Sequence, residues 1–139
     1  MSGPTQPDPG RWTEAVQWLQ RADEDLRLAE KIAAEPDFLA SAAFHCQQAA
    51  EKMAKAIIVA FQTEYPRTHD LAELGSAVAD LRPELGAGIA ALSGLTDWYV
   101  TPRYPGLEYR PSVQDVEVTI RELKGLRRQI EALAPKPGE

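Results

Sequence analysis

A chain of 139 residues with 44% hydrophobic and 26% charged residues is sized and composed as one globular domain, able to bury a core without metals or disulfides. A net charge of −6 and a pI near 5.0 argue against broad electrostatic binding to double-stranded DNA. The single cysteine, Cys46, rules out an internal disulfide and points to a reducing compartment.

The expected location is cytoplasmic, with no membrane partner, because no apolar run approaches the roughly 20 residues that span a bilayer and no signal-peptide pattern opens the chain. Residues 1–10, with three prolines and two glycines, predict a flexible leader, and residues 135–139 a matching tail. The bundle is expected over 11–134. Charge is uneven along it. Residues 1–100 hold 8 Lys+Arg against 15 Asp+Glu, and 101–139 hold 7 against 6, so an anion site fits the last third better than the first helix.

The first helix is predicted from about Arg11 to Ala34. Ala15, Trp18, Leu19, Ala22, Leu26, Ala29 and Ala33 recur at steps of three and four, the mark of one buried face. Gln17, Gln20, Arg21, Glu24, Arg27 and Lys31 lie opposite, and Asp23-Glu24-Asp25 reads as solvated surface. Glu35-Pro36-Asp37 breaks the pattern. A second, alanine-rich helix runs from about Asp37 to Thr63 and stops before Tyr65-Pro66.

A short third helix starts at Asp70, an N-cap with Glu73 three residues on in a capping-box-like pair, and buries Leu71, Leu74, Val78 and Leu81. Pro83 ends it and opens a fourth, to Trp98, burying Ile89, Leu92 and Leu95. An irregular stretch from Val100 to Pro111 follows, in which Pro102 and Pro105 stiffen the presentation of Arg103 and Tyr104. The fifth helix is capped by Ser112, with Asp115 at its third position. Its stripe is Val113, Val116, Ile120, Leu123, Leu126, Ile130 and Leu133. No segment alternates as a strand does, so the expected fold is all-α, an antiparallel up-and-down bundle of about five helices, four long or medium plus one short.

On a helical wheel with His45 at zero, Cys46, Ala50, Met53, Ile57 and Phe61 fall between about 80° and 160°, the core face. His45, Gln48, Lys52 and Lys55 fall between about 280° and 360°, with Gln47 and Glu51 at the edge where partial burial is expected. Two readings of this stripe stand: a solvated face with Glu51–Lys55 as an ordinary i,i+4 pair, or the wall of a groove. His69, just after Arg67, and the Arg103–Tyr104 loop favour a groove. Cys46 reads as a small buried apolar residue.

The run Ala42-Ala43-Phe44-His45-Cys46-Gln47-Gln48-Ala49-Ala50-Glu51-Lys52-Met53-Ala54-Lys55-Ala56 resembles the signature helix of HEPN domains. So does Thr68-His69-Asp70-Leu71, followed by Tyr99-Val100-Thr101-Pro102-Arg103-Tyr104-Pro105. Three separated motifs agree in order and spacing over almost all of the chain except the tails. The resemblance implies a small helical bundle that dimerises around a cleft. In one branch of the family it is paired with a minimal nucleotidyltransferase in toxin–antitoxin type systems, and binds nucleotide or helps present substrate to that enzyme. Another branch comprises metal-independent ribonucleases marked by arginine, four to six residues, then histidine.

That marker is missing. From Arg103 the positions where histidine should stand hold Glu108, Tyr109 and Arg110, and the nearest arginine before His45 is Arg27. The expectation is therefore a non-catalytic binding module, a homodimer that takes nucleotide or RNA and partners a nucleotidyltransferase, with no catalytic residues and no metal or cofactor. His45, Gln48, Lys52, Lys55, His69, Arg103 and Tyr104 are its candidate ligand-binding residues. The alternatives are a divergent metal-independent endoribonuclease using Arg103 with a histidine brought from elsewhere, and a helical interaction module with no ligand. No Gly-rich phosphate loop is present, and two histidines with one cysteine lack metal-ligand spacing. Trp12, Trp18 and Trp98 read as core or interface anchors. Arg127-Arg128 complement the last helix's dipole.

Overall fold

The computed structural model describes residues 6–62, 64–92 and 111–136. Among them are five α-helices and one turn of 3-10 helix, and no strand: α1 (Pro9–Ile32), the 3-10 turn (Pro36–Phe38), α2 (Leu39–Phe61), α3 (Leu71–Leu81), α4 (Pro83–Ala91) and α5 (Val113–Glu131). The expected all-α bundle is what the chain forms.

The ends of the helices show where local chemistry overrides periodicity. α1 begins two residues before the predicted Arg11, because Asp8 accepts hydrogen bonds from the amides of Gly10 (2.9 Å) and Arg11 (3.2 Å). Pro9 takes the first helical position, where its missing N–H costs nothing. α2 begins at Leu39 rather than Asp37, since Pro36–Asp37–Phe38 winds as 3-10 helix. It ends at Phe61 with Gln62 fully extended.

At α3 Asp70 caps Ala72 (2.9 Å), but its own amide donates to Thr68 Oγ1 (3.0 Å), which takes the donor that Glu73 would need for a capping box. α5 has the complete box between Ser112 and Asp115. α4 is assigned only to Ala91; its predicted extension to Trp98, including Leu95, lies outside the described residues.

α2 is the centre. Fourteen of its 23 residues are buried, so it cannot be an amphipathic surface helix; α1, α3 and α5 pack around it. α1 runs antiparallel to α2, and its Ala15, Leu19, Ala22, Leu26 and Ala29 all face inward. Met53, Ile57, Ile58, Leu123 and Ile130 complete the core. α5 lies antiparallel to α1 and is tied to it by Lys124–Glu30 (2.7 Å) and by Arg127, whose guanidinium donates to both oxygens of Asp23 (2.9 and 3.3 Å) and to Glu131 (2.7 Å). These carboxylates raise the Arg127 pKa against the opposing effect of its partial burial.

Burial pushes the Cys46 thiol up from 9.0 to about 12, because the thiolate has no water to solvate it. The folded state keeps that proton while an unfolded chain loses it above pH 9. The stability conferred is present below 9.0 and lost as pH rises toward about 12. The parent should therefore lose up to about 1.4 kcal/mol per pH unit more than Cys46→Ala does on alkaline titration, as read by urea melts. A thiol reagent at pH 8 should label Cys46 only at the rate of unfolding.

Candidate functional site

Two carboxylates organise the polar face of α2. The first is Asp25, contributed by α1. Its Oδ1 accepts from Nδ1 of His45 at 2.9 Å, and its Oδ2 pairs with the Lys52 ammonium. Asp25 is 12% exposed, with His45 and Lys52 at 24% and 25%. An ionised carboxylate only accepts, so the proton of a neutral His45 sits on Nδ1 and its Nε2 is the acceptor. Phe44 meets the imidazole edge-to-face at 5.3 Å.

The second carboxylate is Glu51, 4% exposed. Its Oε1 accepts from Gln47 Nε2 at 2.6 Å, its Oε2 from His69 Nδ1 at 3.0 Å, and Lys55 Nζ stands 3.9 Å from Oε2. Gln48 donates to Gln47 Oε1 at 3.1 Å, which fixes the orientation of that buried amide.

A strap formed by residues 64–70 runs back alongside α2. Gln62 Nε2 donates to the Glu64 carbonyl at 2.7 Å, and the His69 carbonyl lies 3.5 Å from Gln47 Nε2. Between strap and helix lies a cleft of about 660 Å3 lined by Lys55, Glu64, Tyr65, Arg67, Thr68 and His69. Tyr65 is the aromatic residue of the lining, and Trp18 backs it. Trp18 and Tyr65 meet at 82° with centroids 5.8 Å apart, and the Lys55 ammonium lies 5.4 Å from the first ring and 5.8 Å from the second. Arg21 lies 5.7 Å from the Trp18 ring. Lys55 is thus held on three sides, its side chain 13% exposed, while the His69 side chain is 83% exposed and Arg67 is exposed at the rim.

The polar stripe of α2 is accordingly no solvated face: α1 covers one edge and the strap the other. His45 and Lys52 gather on Asp25, Lys55 and His69 gather on Glu51, and Gln48 reaches the second group through Gln47. Arg103 and Tyr104 lie outside the described residues, as does Trp98. Trp12 and Trp18 are half-buried against the core.

The reading of Asp23-Glu24-Asp25 as solvated surface holds only for Glu24; Asp25 faces α2, and Asp23 pairs with Arg127. The signal was available. Asp25 stands three residues after Ala22 and four before Ala29, on the buried face of α1. Arg127, read as a dipole complement alone, is a bridge between helices. Tyr65 and the depth of Glu51 were not legible, because both depend on where the strap returns.

No described helix is long and apolar enough to cross a membrane, and among the described residues no group of three His, Cys, Asp or Glu could hold a metal ion. The family model for the HEPN domain matches residues 15–133, from the first buried residue of α1 to just beyond α5. No curated protein and no solved structure matches the chain.

Proposed function

We propose that this chain, which belongs to the HEPN domain family, is a non-catalytic module that binds nucleotide or RNA in the cleft between α2 and the 64–70 strap. The observation that carries the reading is the convergence of Lys55, Arg67 and His69 on one cleft beside Tyr65. A guanidinium and an ammonium supply charge-assisted donors to phosphate oxygens, and a tyrosine ring offers a face to a base. Lys55 enters with little entropy left to lose, because two rings and a carboxylate already fix it.

His45, Gln48 and Lys52 lie along the same face of α2 and would extend the contact along a longer ligand. The family resemblance supports the remainder: a homodimer working with a nucleotidyltransferase in a toxin–antitoxin type pair.

Calorimetric titration with adenine nucleotides tests the cleft. Arg67 is exposed and outside every helix, so Arg67→Ala should leave the thermal melt unchanged and weaken binding about tenfold, the equivalent of one charge-assisted hydrogen bond. Lys55→Ala should weaken it at least as much. Parent-like affinity in both variants would show that the ligand sits elsewhere.

A further inference from the structure

The cleft's charge is closer to balance than its three basic residues suggest. Lys55 is opposed by Glu51, at 3.9 Å, and Arg67 shares the rim with Glu64. Two fixed cations thus face two carboxylates, and His69 spends its Nδ1 on Glu51.

The N-terminus of α3 follows directly on Thr68 and His69 of the lining. Its own Asp70 already caps it, accepting from the Ala72 amide at 2.9 Å, while the Asp70 amide is spent on Thr68 Oγ1. A helix start that would draw anions is thereby closed with a carboxylate. The chain as a whole carries −6.

We infer that the cleft takes a nucleotide unit bearing a single phosphate group and selects against a polyphosphate. This rests on the nucleotide-binding reading above and adds the charge class of the ligand. One phosphate meets Arg67 and Lys55, whose charges Glu64 and Glu51 already offset, so the site holds no surplus positive charge for a second. A further phosphate meets Glu64 on the lining and the field of Glu51 behind Lys55, and like charges at such range repel. Two sources carry this chemistry, a free nucleoside monophosphate and the 5′-terminal nucleotide of an RNA strand.

The test is calorimetry at constant ionic strength in chelator, with AMP, ATP and a 5′-phosphorylated RNA pentamer as probes. AMP should bind about tenfold more tightly than ATP. Glu64→Gln, at an exposed position, should narrow that gap severalfold by raising ATP affinity alone; Glu51→Gln should do the same where its melt stays cooperative. A pentamer binding more tightly than AMP assigns the RNA end as the source, and equal or weaker binding assigns the free nucleotide. ATP binding as tightly as AMP, or a gap unmoved in Glu64→Gln, overturns the single-phosphate inference while leaving nucleotide binding intact. If none of the three probes binds, the nucleotide-binding reading itself fails.

Discussion

Gly86→Ala is expected to destabilise the protein by about 1–3 kcal/mol although it replaces the second-worst helix former with the best. A methyl at this position would lie 2.5 Å from the amide nitrogen, Cα and Cβ of Ala79. Two of those atoms are backbone, so no rotamer change relieves the contact and α3 must move away from α4. The same face carries Gly75, whose added Cβ would stand 3.0 Å from the Ala90 amide nitrogen. The α3–α4 hairpin thus meets backbone to backbone along two crossing points, and spreading one loosens the other.

Gly88, one half-turn further along α4, provides the contrast. An added methyl there meets only Leu126 Cδ1 at 3.9 Å, an ordinary contact on an exposed position. Gly88→Ala should therefore stabilise by about 0.5–1 kcal/mol, the helix-propensity difference alone. Opposite signs in urea melts of the two variants are the expected result. Equal signs would mean that the hairpin is looser than its described packing.

The same contrast explains which parts of the molecule the sequence discloses. Where one helix writes its own pattern, as in the apolar face of α1 or the Ser112–Asp115 box of α5, type and inner face follow from the residues alone. Where a position depends on a second element, they do not. Asp25 carries its burial in its spacing, yet its pairing with His45 and Lys52 depends on the register of α1 against α2. Gly86 looks like a weak point of a short helix until Ala79 stands opposite. The cleft is the extreme case. Lys55 and His69 are visible as candidates, but Tyr65, Glu64 and Arg67 join them only because the strap doubles back along α2. Five of the seven candidate residues therefore separate in space into a group on Asp25 and a group around Glu51; Arg103 and Tyr104 lie outside the described residues.

Glu51 should carry the largest single-residue stake in the site's integrity. Its carboxylate, 4% exposed, accepts from Gln47 and His69 and pairs with the Lys55 ammonium at 3.9 Å. Gln47 is as deeply buried, at 3%, and cannot turn to water when its acceptor is removed. Glu51→Ala should cost about 3 kcal/mol, the lower end for breaking a buried charged pair, because His69 is exposed enough to rehydrate. That corresponds to a fall in Tm of about 10 °C. Because the pair is buried, the loss should persist in 1 M salt, where surface pairs are screened.

Glu51→Gln separates shape from charge. Its carbonyl still accepts from Gln47, so it should cost about 1 kcal/mol, a single hydrogen bond's worth. In Glu51→Ala the strap loses its anchor at His69, so nucleotide affinity should fall with stability. In Glu51→Gln affinity for a monophosphate should be kept. Equal destabilisation by both substitutions would show that charge, and not the fixed hydrogen-bond geometry, holds the strap to α2. A cost below about 1 kcal/mol for Glu51→Ala would mean that the strap is held by Trp18 and Tyr65 packing instead.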